Sequence, residues 1–270
     1  MGCYHTSYCR ISNMDNDRYS FRICLMYHDI YQRTPYESGF QDKKAFPYKI
    51  QADIFEDHVK AVVRYCHEHP EVEVEFTFDD GGISFLTLAA PILEKYELRG
   101  TFFISTAYLN TPQFLTTEQL AELAQRGHRI GSHSHTHPML TELTEEEIAK
   151  EWTDSVNILH PFVTEEMTAS IPNGDGSVVV MQKATEAGIQ RLYTSIPTTE
   201  VTRFMSIQVL GRYVVLQGMS AEDVMKIVCN NSFRQRLYIR WQVLRCVKDC
   251  LGSQYERIKR LYFRIKRESK

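Results

Sequence analysis

The chain has 270 residues, 43% apolar, 24% charged and 11% aromatic, with a formal net charge of −3. That balance is globular, allows one or two domains with a large core, and excludes a disordered or collagen-like chain. No run approaches the ~18 apolar residues of a membrane-spanning helix, and residues 1–20 lack the apolar stretch of a secretory signal, so a cytoplasmic protein is expected.

Short β-rich runs alternate with helical periods along the chain. Ile23 to Tyr27 is the first apolar run. From Ala52, the residues Phe55, Val59, Val62, Val63 and Cys66 recur on one helical face. Val72 to Phe78 reads as a strand that ends in Thr77-Phe78-Asp79-Asp80-Gly81-Gly82. Phe85, Leu88, Ala89, Ile92 and Tyr96 mark a second helix, and Thr101 to Ile104 a strand. Thr116 with Gln119 and Thr144 with Glu147 are capping boxes that open further helices. Between them lies a short strand, Arg129 to Ser132. Ala169 to Ile171, Leu192 to Ile196 and Val209 to Val215 are further strands. Ser177 to Ala187 is a helix, and Ser220 with Asp223 opens another. About seven β/α repeats in sequence predict a parallel sheet, either a barrel or doubly wound.

The seven cysteines are scattered, and no C-x-x-C occurs, so a reducing compartment is the default. Cys246 and Cys250 share a helical face and are expected to be core-facing thiols. Residues 233–270 carry a net charge of +9 and the remainder −12, an acidic body with a basic tail.

Two clusters fall where a parallel β/α fold gathers function, at the C-terminal ends of strands. One is Asp79-Asp80, the other His133-Ser134-His135-Thr136-His137-Pro138. Adjacent buried carboxylates raise each other's pKa unless a cation lies between them. Asp-Asp alone is most simply a solvated loop, and three alternating histidines alone are an open case. Together on one face they favour a metal site. On a strand His133 and His135 would share a side; in a helical turn His133 and His137 would. The first choice would suit an amidohydrolase barrel, which needs later histidines, but His160 is the last of the ten.

The stretch Gly131-Ser132-His133-Ser134-x-x-His137-Pro138 closely resembles the H-[S/T]-x-x-H-P motif of the polysaccharide deacetylase family, the NodB-like carbohydrate esterases. Thr77-Phe78-Asp79-Asp80-Gly81 is similar to that family's T-F-D-D-G. The resemblance covers roughly residues 21–215 and implies a distorted (β/α) barrel. It divides the chain into a polar N-terminal arm (1–20), the barrel domain (21–230) and a basic helical tail (231–270).

The resemblance also implies roles. Asp80, His133 and His137 would hold a divalent metal, zinc before cobalt, nickel or manganese. Asp79 would be the general base toward water. Pro172-Asn173-Gly174, otherwise simply a good turn, aligns with the family's third motif and would place the Asn173 N–H on the oxyanion. Two features depart from the pattern. Ser170 and Ile171 stand where an arginine usually precedes that proline, and the usual late histidine acid is missing. Met26-Tyr27-His28-Asp29 resembles the Y-H-D element of deacetylases acting on poly-N-acetylglucosamine, so His28 would be the acid instead. His135 is expected to be a hydrogen-bonded wall residue and Trp152 a core residue.

The implied activity is hydrolysis of N-acetyl groups on a glycan or lipid-linked precursor. The rivals are an O-acetyl esterase with the same site and a catalytically silent glycan binder. In the tail, an apolar stripe including Tyr255, flanked by Arg260 and Arg264, reads as an anchor for an anionic membrane surface. The bland alternative packs that stripe on the barrel. Nucleic acid is not expected, since the acidic body would repel phosphates.

Overall fold

The computed structural model describes residues 9–10, 21–174 and 176–251. Strand β1 (Cys9–Arg10) precedes β2 (Phe21–Tyr27), and the short pair β3 (Ile30–Tyr31) and β4 (Ile50–Gln51) follows. Next come α1 (Ala52–Glu68), β5 (Val72–Phe78), α2 (Ala90–Lys95), β6 (Thr101–Ile104), α3 (Thr117–Gln125) and β7 (Arg129–Ser132). The second half has α4 (Glu145–Leu159), β8 (Thr168–Ser170), α5 (Val178–Glu186), β9 (Arg191–Tyr193), β10 (Thr202–Phe204), β11 (Ile207–Leu210) and β12 (Tyr213–Val214). Helices α6 (Ala221–Cys229) and α7 (Asn231–Leu251) close the described chain.

Ten strands form one sheet in the order β1-β10-β11-β9-β8-β7-β6-β5-β2-β12. From β11 to β12 every neighbour is parallel; β1 and β10 extend the β11 edge antiparallel. β11 and β12 lie at opposite ends of the parallel run, yet only Gly211 and Arg212 separate them in sequence. Three consecutive Cα–Cα steps reach at most about 11 Å, so the sheet must curl until its ends nearly meet. The result is a distorted β/α barrel with a seam at Gly211–Arg212. A Cβ on Gly211 would lie 2.4 Å from the Ile196 carbonyl oxygen, so only glycine fits there.

This corrects the expected single strand from Val209 to Val215: the chain leaves one barrel edge and joins the other. The expected helix from Phe85 to Tyr96 also differs. Phe85–Ala89 form a wider π-type turn, and α2 begins only at Ala90. Pro91 has no N–H to continue an α-helical ladder through that turn. The capping boxes at Thr116 and Thr144 form as expected, and a third forms at Ser220.

The main core lies between the sheet and α1, α2, α3 and α6; Tyr27, Phe55, Phe76, Phe78, Phe85 and Phe102 pack through it, Phe55 edge-on. A second core joins α4 and α5 to β8, β9 and β11, with Trp152 fully buried. The first turns of α7 pack on the barrel through Phe233 and Leu237, and the Arg234 guanidinium donates to the Ile227 and Val228 carbonyls at the end of α6. Farther along α7, Ile239, Val243, Leu244 and Val247 are exposed. Cys246 is exposed too, so it does not face a core as expected; the helix has left the barrel by that point. Tyr255, Arg260 and Arg264 lie outside the described residues. Among the described residues no helix is long and apolar enough to cross a membrane.

Candidate active site

Asp79 and Asp80 follow β5 directly, and both are buried. Asp80 and Gly81 adopt φ of 91° and 97°, a turn that a non-glycine residue enters only when its surroundings hold it there. His133 follows β7 in the same way. Beyond it Ser134 and His137 both have φ of 61°, and polar groups fix that loop. Ser132 Oγ accepts from the Ser134 N–H and Ser134 Oγ from the His137 N–H, each at 3.1 Å. The Glu151 carboxylate, buried on α4, accepts from the His135 and Thr136 N–H groups at 2.8 Å and from Thr136 Oγ1 at 2.6 Å.

These turns bring three of the predicted residues together: ligand atoms of Asp80, His133 and His137 all lie within 4.8 Å of one another. Asp80 Oδ1 is 3.5 Å from His133 Nε2 and 3.3 Å from His137 Nε2. His135 turns away, its Nδ1 2.9 Å from Thr106 Oγ1. His133 Nδ1 sits 3.1 Å from the Ser170 carbonyl oxygen. A carbonyl only accepts, so Nδ1 carries the proton and Nε2 presents its lone pair toward Asp80. Asp80 Oδ1 is buried and accepts no hydrogen bond. A lone pair facing an orphaned carboxylate oxygen is costly unless a cation lies between them, and one carboxylate with two imidazoles is the donor set of a zinc-type site with open positions. The residues therefore fit a divalent metal ion.

Asp79 takes a different set of partners. Arg212, at the barrel seam, donates from its two terminal nitrogens to Asp79 Oδ1 at 2.6 Å and Oδ2 at 2.7 Å. Its Nε donates to the Thr194 carbonyl and the guanidinium lies over the rings of Phe103 and Tyr193. Ser170 Oγ donates to Asp79 Oδ1 at 3.1 Å and stands 2.6 Å from His133 Nδ1. Burial opposes the Asp79 charge, but Arg212 and His133 outweigh it and hold the carboxyl far below the usual range. For Asp80, burial is likewise outweighed, by His137, His28 and His133, and its pKa is lowered. Burial dominates at His133 and pushes it down to about 4. At His137 burial is outweighed by Asp80, and the pKa rises.

The arginine missing before Pro172 is thus supplied by a different strand end, and Ser170 occupies the vacated place. Sequence reasoning passed over Arg212, although a lone arginine within the apolar run Val209 to Val215 was a signal. Glu151 gave none, sitting as one acid among several on α4.

His28 follows β2 and lies near enough to lower both carboxylates. Its Nδ1 is buried with no hydrogen-bond partner, and its ring packs on Tyr48 with centroids 4.6 Å apart. Asn173 has φ of 57°, and its Nδ2 donates to the Pro138 carbonyl at 3.3 Å, tying its loop to the histidine loop.

Residues 67–192 match the family model for polysaccharide deacetylase. YxkH of Bacillus subtilis (strain 168) is 32% identical over 148 residues, covering 54% of this chain and 53% of that protein. Chitin deacetylase 1 of Cryptococcus neoformans var. grubii is 37% identical over 83 residues, covering 30% of this chain and 17% of that protein. The chain therefore spans about half the length of the first of these relatives and less of the second. The deacetylase PplD of Streptococcus pyogenes, solved with acetate, superposes with a TM-score of 0.60 at 23% identity, over 77% of this chain and 98% of that one, and shares the fold. The acidic motif after β5, the imidazole motif after β7, the barrel that brings them together and the matching family model identify residues 67–192 as a polysaccharide deacetylase domain.

Proposed function

We propose that this chain is a metal-dependent carbohydrate deacetylase that hydrolyses N-acetyl groups on a glycan or lipid-linked glycan precursor. The observation that carries the reading is the orphaned, buried Asp80 Oδ1 between two imidazole nitrogens, beside a second carboxylate kept ionised by Arg212. A relative named for chitin deacetylation supports an N-acetylated glycan as substrate.

Asp80, His133 and His137 hold the cation, with zinc preferred by this donor set. When bound, such an ion acts as a Lewis acid on the acetyl carbonyl and on water. Asp79 takes the proton from the attacking water, and Arg212 with Ser170 keeps its carboxylate aimed and charged. The Asn173 N–H stabilises the oxyanion that develops on the carbonyl oxygen. His28 donates a proton to the departing nitrogen as the C–N bond breaks. The products are acetate and a free amine, with the elements of one water added.

Zinc-loaded protein incubated with oligomers of N-acetylglucosamine is expected to release acetate, and Asp79→Asn is expected to bind zinc but lose turnover by about 100-fold or more. Acetate released only from O-acetylated glycans would make the protein an esterase. A zinc-bound wild type that releases none from either would leave a glycan binder.

A further inference from the structure

We infer that the segment between β3 and β4, residues 32–49, is the glycan-contacting wall of the active site, with Phe40 and Tyr48 as the aromatic surfaces that seat the sugar ring. This rests on the function proposed above and extends it to residues that none of the motifs contain.

Phe40 lies beside the candidate metal ligands, its ring centroid 5.1 Å from that of His137. It meets Tyr108 and Phe114 edge-on, at 4.8 and 5.1 Å. Tyr48 packs against His28, ring centroids 4.6 Å apart. Core aromatics such as Phe78 and Phe85 are fully buried, whereas Phe40 and Tyr48 are only half-buried. Both therefore keep part of their surface exposed, Phe40 beside His137 and Tyr48 beside His28. A pyranose has that same division, with apolar C–H faces and a hydroxylated rim, so an aromatic surface next to hydrogen-bonding groups suits a neutral N-acetylhexosamine unit.

The segment is also held more firmly than a surface connection requires. Asp29, the residue after His28, is buried; its Oδ1 accepts from Ser38 Oγ at 2.6 Å and Ser84 Oγ at 3.0 Å. Lys49 is buried as well, with Nζ 3.8 Å from Asp29 Oδ2 and donating to the Pro35 and Ser38 carbonyls. Gly39 has φ of 62°, and a Cβ there would fall 1.9 Å from Asp29 Oδ2, so the chain passes directly over the carboxylate. Its N–H donates to the Gln113 carbonyl at 2.9 Å, which joins the segment to the loop carrying Phe114. Buried charges cost several kcal/mol each before pairing repays them. Spending that on a loop makes sense where the loop's position matters, and what this one positions is Phe40 and Tyr48.

The test uses the zinc-loaded chain with Phe40→Ala, Phe40→Leu, Tyr48→Ala and Tyr48→Phe. Binding of N-acetylglucosamine pentamer is read by calorimetry, KM and kcat by acetate release, zinc affinity by competition, and folding by thermal unfolding. Phe40→Leu keeps apolar bulk but removes the flat face, so it covers the case in which Phe40→Ala unfolds. Loss of one stacked ring raises Kd and KM by about three- to tenfold, and that rise is expected in both Phe40 variants and in Tyr48→Ala. Tyr48→Phe keeps its ring and is expected to stay near wild type, and zinc affinity is expected to hold throughout. Wild-type Kd and KM in folded, zinc-binding Phe40→Leu and Tyr48→Ala would overturn the wall while leaving the deacetylase reading intact. A wild type that binds the pentamer without releasing acetate, while the ring variants bind it more weakly, would overturn the deacetylase reading and keep the wall. A zinc-loaded wild type that neither binds nor cleaves it would overturn both.

Discussion

Arg212, at the seam between β11 and β12, and Asp79, at the end of β5, form a two-point ion pair in the barrel interior, with both side chains at most 3% exposed. Arg212 stands at the two-residue seam that closes the sheet, so one residue both completes the barrel and orients the candidate base. Arg212→Met leaves Asp79 buried without its counter-charge, which is expected to cost about 3–5 kcal/mol of stability together with most of the turnover. Arg212→Lys keeps the charge but loses the fork and is expected to fall between. Urea unfolding and acetate release on the same preparations measure both effects.

Glu151 touches none of the candidate metal ligands' side chains, yet it holds the backbone that presents His137. Partners that orient a metal ligand typically set about 10- to 100-fold in affinity. Glu151→Gln replaces an acceptor-only carboxylate by an amide whose NH2 faces N–H donors. A weaker zinc affinity in that range, by competition with a chromogenic chelator, is the expected outcome.

Metal itself is expected to stabilise the fold, because Asp80 and the two imidazoles converge only in the native state. At about 100 times Kd the gain is roughly 2.7 kcal/mol. The thermal midpoint is expected to rise with zinc and to return with a chelator. In His137→Ala that rise is expected to disappear.

Stability is expected to fall below neutral pH partly through His58. Its ring is fully buried, with Nδ1 3.2 Å from the Tyr27 hydroxyl and Nε2 3.0 Å from the Met219 carbonyl. The carbonyl fixes the proton on Nε2, and Nδ1 accepts from Tyr27. Burial lowers the pKa from its ordinary 6.5, outweighing the Met219 carbonyl, Asp57 and Asp223, which favour the charged ring. The unfolded chain then binds more protons than the native state as pH drops through 6.5. This contribution is whole above that pH and declines below it until the folded pKa is reached. His128, also lowered by burial, acts in the same direction. The difference in urea-unfolding free energy between about pH 7.5 and about pH 5.5 is expected to be smaller in His58→Asn than in wild type.

The alternation of strands and helices, the capping boxes at Thr116 and Thr144 and the pairing of Asp79-Asp80 with His133 and His137 were legible in the sequence, because periodicity, caps and motif spacing are local properties. Even the choice of His137 over His135 came from the motif, and the left-handed turns at Ser134 and His137 show how the backbone achieves it. Contacts between residues far apart in the chain carry no such local mark. Arg212 meets Asp79 across 133 positions, Ser170 meets it across 91, and Phe40 reaches His137 from a loop with no motif. The break at Gly211–Arg212 belongs to the same class, since a continuous apolar run looks alike whether it stays in one strand or crosses a seam. What decided these was closure of the sheet, which sets the distance between strand ends, together with the cost of burying a charge unpaired, which selects the arginine that answers it.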